Sequence, residues 1–330
     1  MANYREGFKV ILIQKQIQYD ISSIVQGFSL KSDLNTLGQT VEFTLPQSDN
    51  QKYFPRLKIK EGQVIVVFVK QKEIYRGLIV SLDQSAASIS ISSVDYSFYL
   101  KNNSPVLQFK NISVAEAIEQ SCRRFGIPVW EISPMSTKVR EIYTDKALSD
   151  IFKELIEKHQ KASGQKMRME MYRGKLHIFR LKSLKVSPQF KPSRVEASVD
   201  IIKHMSQQWQ YGTDIEDLAN QITVIDEEGK VLGLYQAKES IEKYGLLANT
   251  LKVSKEEKAQ FEKLGRQLLK EKNRVNENFS IKVIGDDCLL AGRMLTMPAD
   301  FPGEWIIESA THHYENGIHL CDLKLGRDQQ

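Results

Sequence analysis

Two hydrophobic rhythms divide the chain. Up to about residue 100, apolar residues recur at every second position or in short unbroken runs. Ser88-Ile-Ser-Ile-Ser-Ser-Val94 alternates, while Val64 to Val69 and Ile74 to Leu82 are rich in β-branched residues. Alternation sends successive side chains to opposite faces of a strand, so residues 8 to about 100 predict an antiparallel β domain. The rhythm then changes. Ser113-Val-Ala-Glu116 is a capping box, and Val114, Ala117, Ile118, Cys122 and Phe125 recur at helical spacing until Gly126. That pattern predicts a helix ended by glycine. A second helix is expected from about Asp145 to Gly164, burying Leu148, Ile151, Phe152, Leu155 and Ile156. It feeds a hairpin over Met167 to Phe179 with Arg173-Gly174 as its turn. In that register Met169 faces Ile178 and Met171 faces Leu176 on a core side, while His177 opposes Glu170 on the other side as a modest cross-strand pair.

Ser183 to Ser193 carries two prolines and no periodicity, and reads as a linker. A strand hairpin follows around Glu228-Gly229. Ser254-Lys-Glu-Glu257 is a second capping box, and Phe261, Leu264 and Leu268 form a narrow apolar stripe amid Lys and Glu. This predicts an amphipathic helix resting on its own domain. From Phe279 to Leu325 the chain returns to strands. The order Gly62 to Ile65, Ile74 to Leu82, Ser88 to Val94 is echoed by Gly292 to Leu295, Trp305 to Thr311, Ile318 to Leu325, which suggests an internal repeat of two β regions.

The stretch Ser309 to Leu325 holds three of the six histidines and one of the three cysteines. Asn316-Gly317 favours the positive φ angles of a tight hairpin turn, so Tyr314 should face His319, His313 face Leu320 and His312 face Cys321. Opposed residues share a face. His312, His319 and Cys321 therefore lie on one side and His313 on the other, short of the four ligands of a closed zinc site. The hairpin is expected to be structural, with no bound metal and no cofactor.

Composition changes this picture little. Hydrophobic residues make up 41% and charged residues 26%, as in ordinary globular proteins. The net charge of +5 arises from basic residues interspersed with acidic ones, which points to a solvated surface rather than a nucleic-acid patch. No apolar run approaches a membrane span and no leader pattern is present, so the protein is expected to start life in the cytoplasm. The three cysteines are widely separated, as befits thiols used as small apolar residues. Phosphate-cradling loops and nucleophile elbows are missing, Asp214-Ile-Glu-Asp217 and Asp226-Glu-Glu228 read as exposed charge beside turns, and Asp286-Asp287, which could touch calcium, lacks the further oxygen ligands of a calcium loop.

Several short stretches in order carry a resemblance. They are Ile59-Lys-Glu-Gly-Gln-Val64, Ile74-Tyr-Arg-Gly77, Ser93-Val-Asp-Tyr96, Leu100-Lys-Asn102, Phe109 to Ile118 with Phe125-Gly-Ile127, Leu148-Ser-Asp-Ile151, Leu218 to Val224, Ser240 with Lys243-Tyr-Gly245, and the closing hairpin with His313 and His319. Together they resemble the tail hub proteins of contractile-tailed phages and phage-tail-like bacteriocins, the XkdQ/YqbQ group. Ala291-Gly292 departs from the Pro-Gly expected before the late strand.

The resemblance implies an α+β fold with two tail-tube-like antiparallel β-barrel domains, joined by a smaller α/β domain and a helical insertion. The expected divisions are a first barrel over 1–105, an α/β domain over 106–182, a linker over 183–193, a second barrel over 194–235 and 275–330, and a helical insertion over 236–274. It also implies a homotrimer that matches a sixfold tail tube to a threefold central spike. The partners would be the tail tube protein, the central spike protein and other baseplate proteins, without specific nucleic acid. Assembly would take place in the bacterial cytoplasm and the protein would end in the baseplate. No catalytic residue is implied. Gly77, Asp95, Trp305, His313, Gly317 and His319 are singled out as structural. Two other classes stay open: a metal-dependent baseplate hydrolase, and a carbohydrate or nucleic-acid binding module.

Overall fold

Strand Ser88–Asp95 shows how the alternation is used: Ile91, Ser93 and Asp95 are buried while the residues between them are half-exposed. In the computed structural model, which describes residues 7–47, 58–187, 209–255, 257–297, 301–315 and 318–327, this strand lies within a large antiparallel sheet. The chain forms two units, residues 1–209 with 280–330 and residues 210–279.

In the first unit the sheet runs in the order Ile17–Asp20, Phe8–Gln14, Val64–Val69, Lys72–Gln84, Ser88–Asp95, Thr40–Pro46, Gln26–Asp33, Gly303–Glu315, Ile318–Arg327, with the end of Asn276–Ile284 beyond. The two β regions seen in the sequence are thus neighbours in one sheet. Leu30 is registered with His312 and Phe28 with Tyr314. Val10, Leu12, Phe28, Leu30, Phe43 and Ile79 fill the concave face.

The sheet curls far enough for Phe8, near one end of the order, to stack on Tyr314 with ring centroids 4.4 Å apart. Phe8 also meets Phe28 edge-on at 4.9 Å. Among the described residues no ladder closes this seam; side chains fill it instead. Lys185–Val186, at the start of the segment expected to be a linker, pairs in parallel with Met294 and Leu295. Residues 188–193 lie outside the described residues.

The α/β part of this unit follows the sequence closely. Helix Val114–Phe125 is capped by Ser113 and Glu116 in reciprocal bonds, and ends at Gly126 with φ +65°. Helix Leu148–Ser163 starts three residues later than expected, because Asp145 takes a positive φ of 55° that a helix cannot accommodate. The two helices bury Ile118, Cys122, Phe152 and Leu155 against Met171, Leu176 and Ile178. Hairpin Met167–Tyr172 with Lys175–Arg180 has the register read from the sequence.

In the second unit, strand Gln221–Ile225 pairs antiparallel with Val231–Gln236 and parallel with Ala248–Lys252. Helix Phe261–Lys272 lays Phe261, Leu264, Leu268 and Leu269 on Ile222, Val224 and Val253, so the apolar stripe serves its own sheet. The Ser254 capping box does form, with Ser254 N–H donating to Glu257 at 2.9 Å. It closes only one turn, and the α-helix begins at Phe261, where contact with the sheet begins. No helix among the described residues is long and apolar enough to cross a membrane.

Candidate functional site

A cluster of buried charged groups lies where hairpin Met167–Tyr172 with Lys175–Arg180 meets the large sheet. One face of this hairpin enters the α/β core through Met171, Leu176 and Ile178. The other carries Arg168, Glu170, His177 and Phe179, all buried. Arg293, arriving from just before strand Met294–Met297, grips Glu170 with both amino groups at 2.6 and 2.7 Å. Arg168 Nε donates to the same carboxylate at 3.4 Å, and His177 Nδ1 lies 3.4 Å from its other oxygen. The remaining Arg168 amino groups donate to the carbonyls of Leu34 and Asp33 at 2.7 and 3.2 Å.

A carboxylate held this way stays charged. Burial alone would raise its pKa, but His177 and the two guanidiniums overcome burial and bring Glu170 down to about 2. Burial, offset in part by Glu170, pulls the Arg168 guanidinium down from its ordinary value. Gly292 permits the close approach: its φ is +83°, and a Cβ there would stand 2.4 Å from Arg168 Cδ. The departure from Pro-Gly noted in the sequence therefore keeps the glycine that the turn requires.

Beside this joint the closing hairpin has the expected register. His312 pairs with Cys321, His313 with Leu320 and Tyr314 with His319. His312 Nε2 lies 2.7 Å from the Leu289 carbonyl and Nδ1 lies 2.9 Å from His319 Nε2. A carbonyl can only accept, so His312 Nε2–H donates to it, and a neutral His312 then accepts at Nδ1 from His319 Nε2–H. Burial lowers the His312 pKa, and burial together with His312 lowers that of His319 to about 3. His319 also stacks on Tyr314 at 4.0 Å, continuing the ring column from Phe8. His313 points to the opposite face, where Nε2 lies 3.0 Å from Asp322.

Gly77 and Asp95 are registered opposite each other. A Cβ on Gly77 would come 2.2 Å from the Tyr75 hydroxyl and 2.5 Å from the Val94 carbonyl, so the strand needs a residue without a side chain there. The Asp95 carboxylate accepts the N–H of Gln39 at 2.6 Å and of Ser97 at 2.9 Å, tying three segments together. Its complete burial outweighs these bonds and lifts its pKa to about 7. Trp305 is fully buried, its Nε1–H donating to Phe301 O at 3.0 Å and its ring under the Arg327 guanidinium. Asn316 and Gly317 lie outside the described residues. Of the other five positions singled out in the sequence, Gly77 and Asp95 lie together, while Trp305, His313 and His319 each have partners of their own.

Of the four residues of the ionic joint, the sequence pairs only His177 with Glu170, and no local pattern singles out Arg168 or Arg293. One signal was present: Phe179 shares their face, and a large apolar residue beside His177 marks that face as covered.

Chemically the arrangement holds rather than reacts. Burial raises the thiols of Cys122 and Cys288 to about 12 and Cys321 still higher, which leaves them protonated and weakly nucleophilic. The imidazoles of His312 and His319 are committed to each other, and Glu170 has no proton to give. Among the described residues no three His, Cys, Asp or Glu side chains converge as metal ligands.

Comparison with known proteins agrees with this fold. Residues 28–326 match the family described as YQBQ-like. The chain is 24% identical over 272 residues to the phage-like element PBSX protein XkdQ of Bacillus subtilis (strain 168), a match covering 79% of each. Its fold is similar to that of the prophage MuSo2 43 kDa tail protein from Shewanella oneidensis, with a TM-score of 0.71 at 13% identity over 97% of this chain and 98% of that one. It is also similar to the E. coli c3393 protein, a type VI secretion component described as resembling the T4 bacteriophage tail proteins gp27 and gp5. There the TM-score is 0.53 at 10% identity, over 93% of this chain and 74% of that one.

Proposed function

We propose, from the premise that this chain belongs to the YQBQ-like family, that it is a structural protein of a phage or phage-like tail and acts there as the baseplate hub. In this reading it is a homotrimer and a symmetry adaptor, seating a threefold spike on one side and capping a sixfold tail tube on the other. The two β regions that meet in the large sheet would be its tube-like halves, so that three chains present six similar faces. The protein would assemble in the bacterial cytoplasm and remain in the particle, touching tube, spike and other baseplate proteins.

The observation that supports this reading best is the near full-length likeness of fold to a prophage tail protein. The ionic joint fits the role, because its buried charges are spent on joining the α/β part to the sheet. The non-catalytic reading is therefore preferred over a baseplate hydrolase. Particle imaging of the hub with its tube and spike proteins tests the proposal. The expected result is three copies per assembly with both β regions of each chain facing the tube. Two or six copies, or a ring built from one β region per chain, would overturn it. The mass of the isolated protein in solution adds whether the trimer forms without its neighbours.

A further inference from the structure

The Phe8–Tyr314 stack and the Asp287–Lys72 ion pair cross the unclosed seam of the large sheet, and the loop that carries Asp287 is held to the closing hairpin by two histidines. From the closing hairpin, His319 lies against Gly285 so closely that a Cβ there would sit 2.1 Å from the ring. The Gly285 N–H donates to the His319 carbonyl at 2.8 Å. The following loop returns the Leu289 carbonyl to His312 and sends Asp287 to Lys72 of the opposite sheet end at 2.8 Å. The column His319, Tyr314, Phe8 completes the crossing. We propose that the His312–His319 pair is an acid-opened latch: while both imidazoles are neutral it clasps the closing hairpin to the 285–289 loop, which reaches across the seam through Asp287, and proton uptake parts hairpin and loop.

The geometry supplies the reason. The pair shares one hydrogen between Nδ1 and Nε2 at 2.9 Å. One added proton places a cation in a buried site. A second leaves two N–H donors facing each other, because His312 Nε2–H is already given to Leu289. The surrounding charges do not rescue the cation. Lys70, from the turn between strands Val64–Val69 and Lys72–Gln84, lowers the pKa of His319, and the carboxylate that favours its charged form, Asp287, is already paired with Lys72. Asp286 and Asp287 favour a charged His312 while His313, on the same strand, opposes it. His313 itself is paired with Asp322, which Lys282 also approaches at 3.5 Å. Arg173, from the α/β hairpin, lines the same cleft as His312 and Asp287 and adds a further cation. The neighbouring strand presents only Leu30 and Phe28 opposite His312 and Tyr314. Cys321 and Tyr314 remain protonated and neutral, since burial raises both.

Once the latch is open, a histidine regains its ordinary affinity for protons, so each one released makes opening about tenfold more favourable per pH unit below about 6.5. Hydrogen exchange followed by mass spectrometry on the full chain between pH 7.5 and 4.5, with rates divided by intrinsic exchange, reads this directly. Expected are a fall in protection of the 285–289 loop and strand Ile318–Arg327 by about tenfold per unit below pH 6.5 if one histidine is released and about a hundredfold if both are, while helix Leu148–Ser163 keeps its protection. The double variant His312→Gln with His319→Gln should show a flat profile. No local loss in the wild-type chain, or loss in the helix with the same slope, overturns the latch even if the variant does not fold. Retention of the slope in the variant overturns it as well.

Discussion

Replacing Glu170 by glutamine preserves its volume and removes one charge, which isolates what holds the α/β part to the sheet. Glu170 is 6% exposed, and its carboxylate takes two bonds from Arg293 and one from Arg168. Charge centres about 4 Å apart at an effective dielectric of about 20 attract by about 4 kcal/mol. Independently, moving the carboxyl from 4.5 to about 2 corresponds to roughly 3 kcal/mol of preference for the charged form. Removing one partner of a buried ion pair generally costs about 3–5 kcal/mol, because the other charge is left uncompensated. The expected loss at pH 7 is therefore about 3–4 kcal/mol. The folded pKa lies below the unfolded one, so this stabilisation is fully present above about pH 4.5 and disappears as pH falls toward 2. The variant and wild type should converge over that window. Urea unfolding at several pH values measures the difference, and adding Arg293→Met to the variant should restore part of the loss by removing a stranded cation. A difference below about 1 kcal/mol at pH 7, or one that stays constant down to pH 3, would refute the ionic account.

Gly77→Ala should lower stability by about 1–3 kcal/mol, because its Cβ would press on the Tyr75 hydroxyl and the Val94 carbonyl; a thermal melt equal to wild type would show that the strand can shift aside. A strong chelator should leave the melt of the purified protein unchanged, since the His312 nitrogens are already bonded to Leu289 and His319. Stoichiometric zinc by elemental analysis, together with a chelator-induced drop in melting temperature, would contradict this.

Local pattern by itself determined most elements and their registers. The helix over Val114–Phe125, the hairpin about Arg173-Gly174 and the pairing of His312 with Cys321 each follow from signals within a few residues: a capping box, a turn dipeptide, strict alternation. These are short-range effects, complete once the backbone conformation is chosen. What the chain could not reveal locally is which surfaces meet. The pairing of Leu30 with His312 joins positions far apart in sequence, and turns two apparent β regions into one sheet. The joint of Arg168 and Glu170 with Arg293 likewise places charges in water's absence only because a distant loop covers them. A charged side chain carries the same letter whether solvated or buried, and its desolvation, its partner and its pKa are properties of what packs over it. Only the tertiary structure decides that.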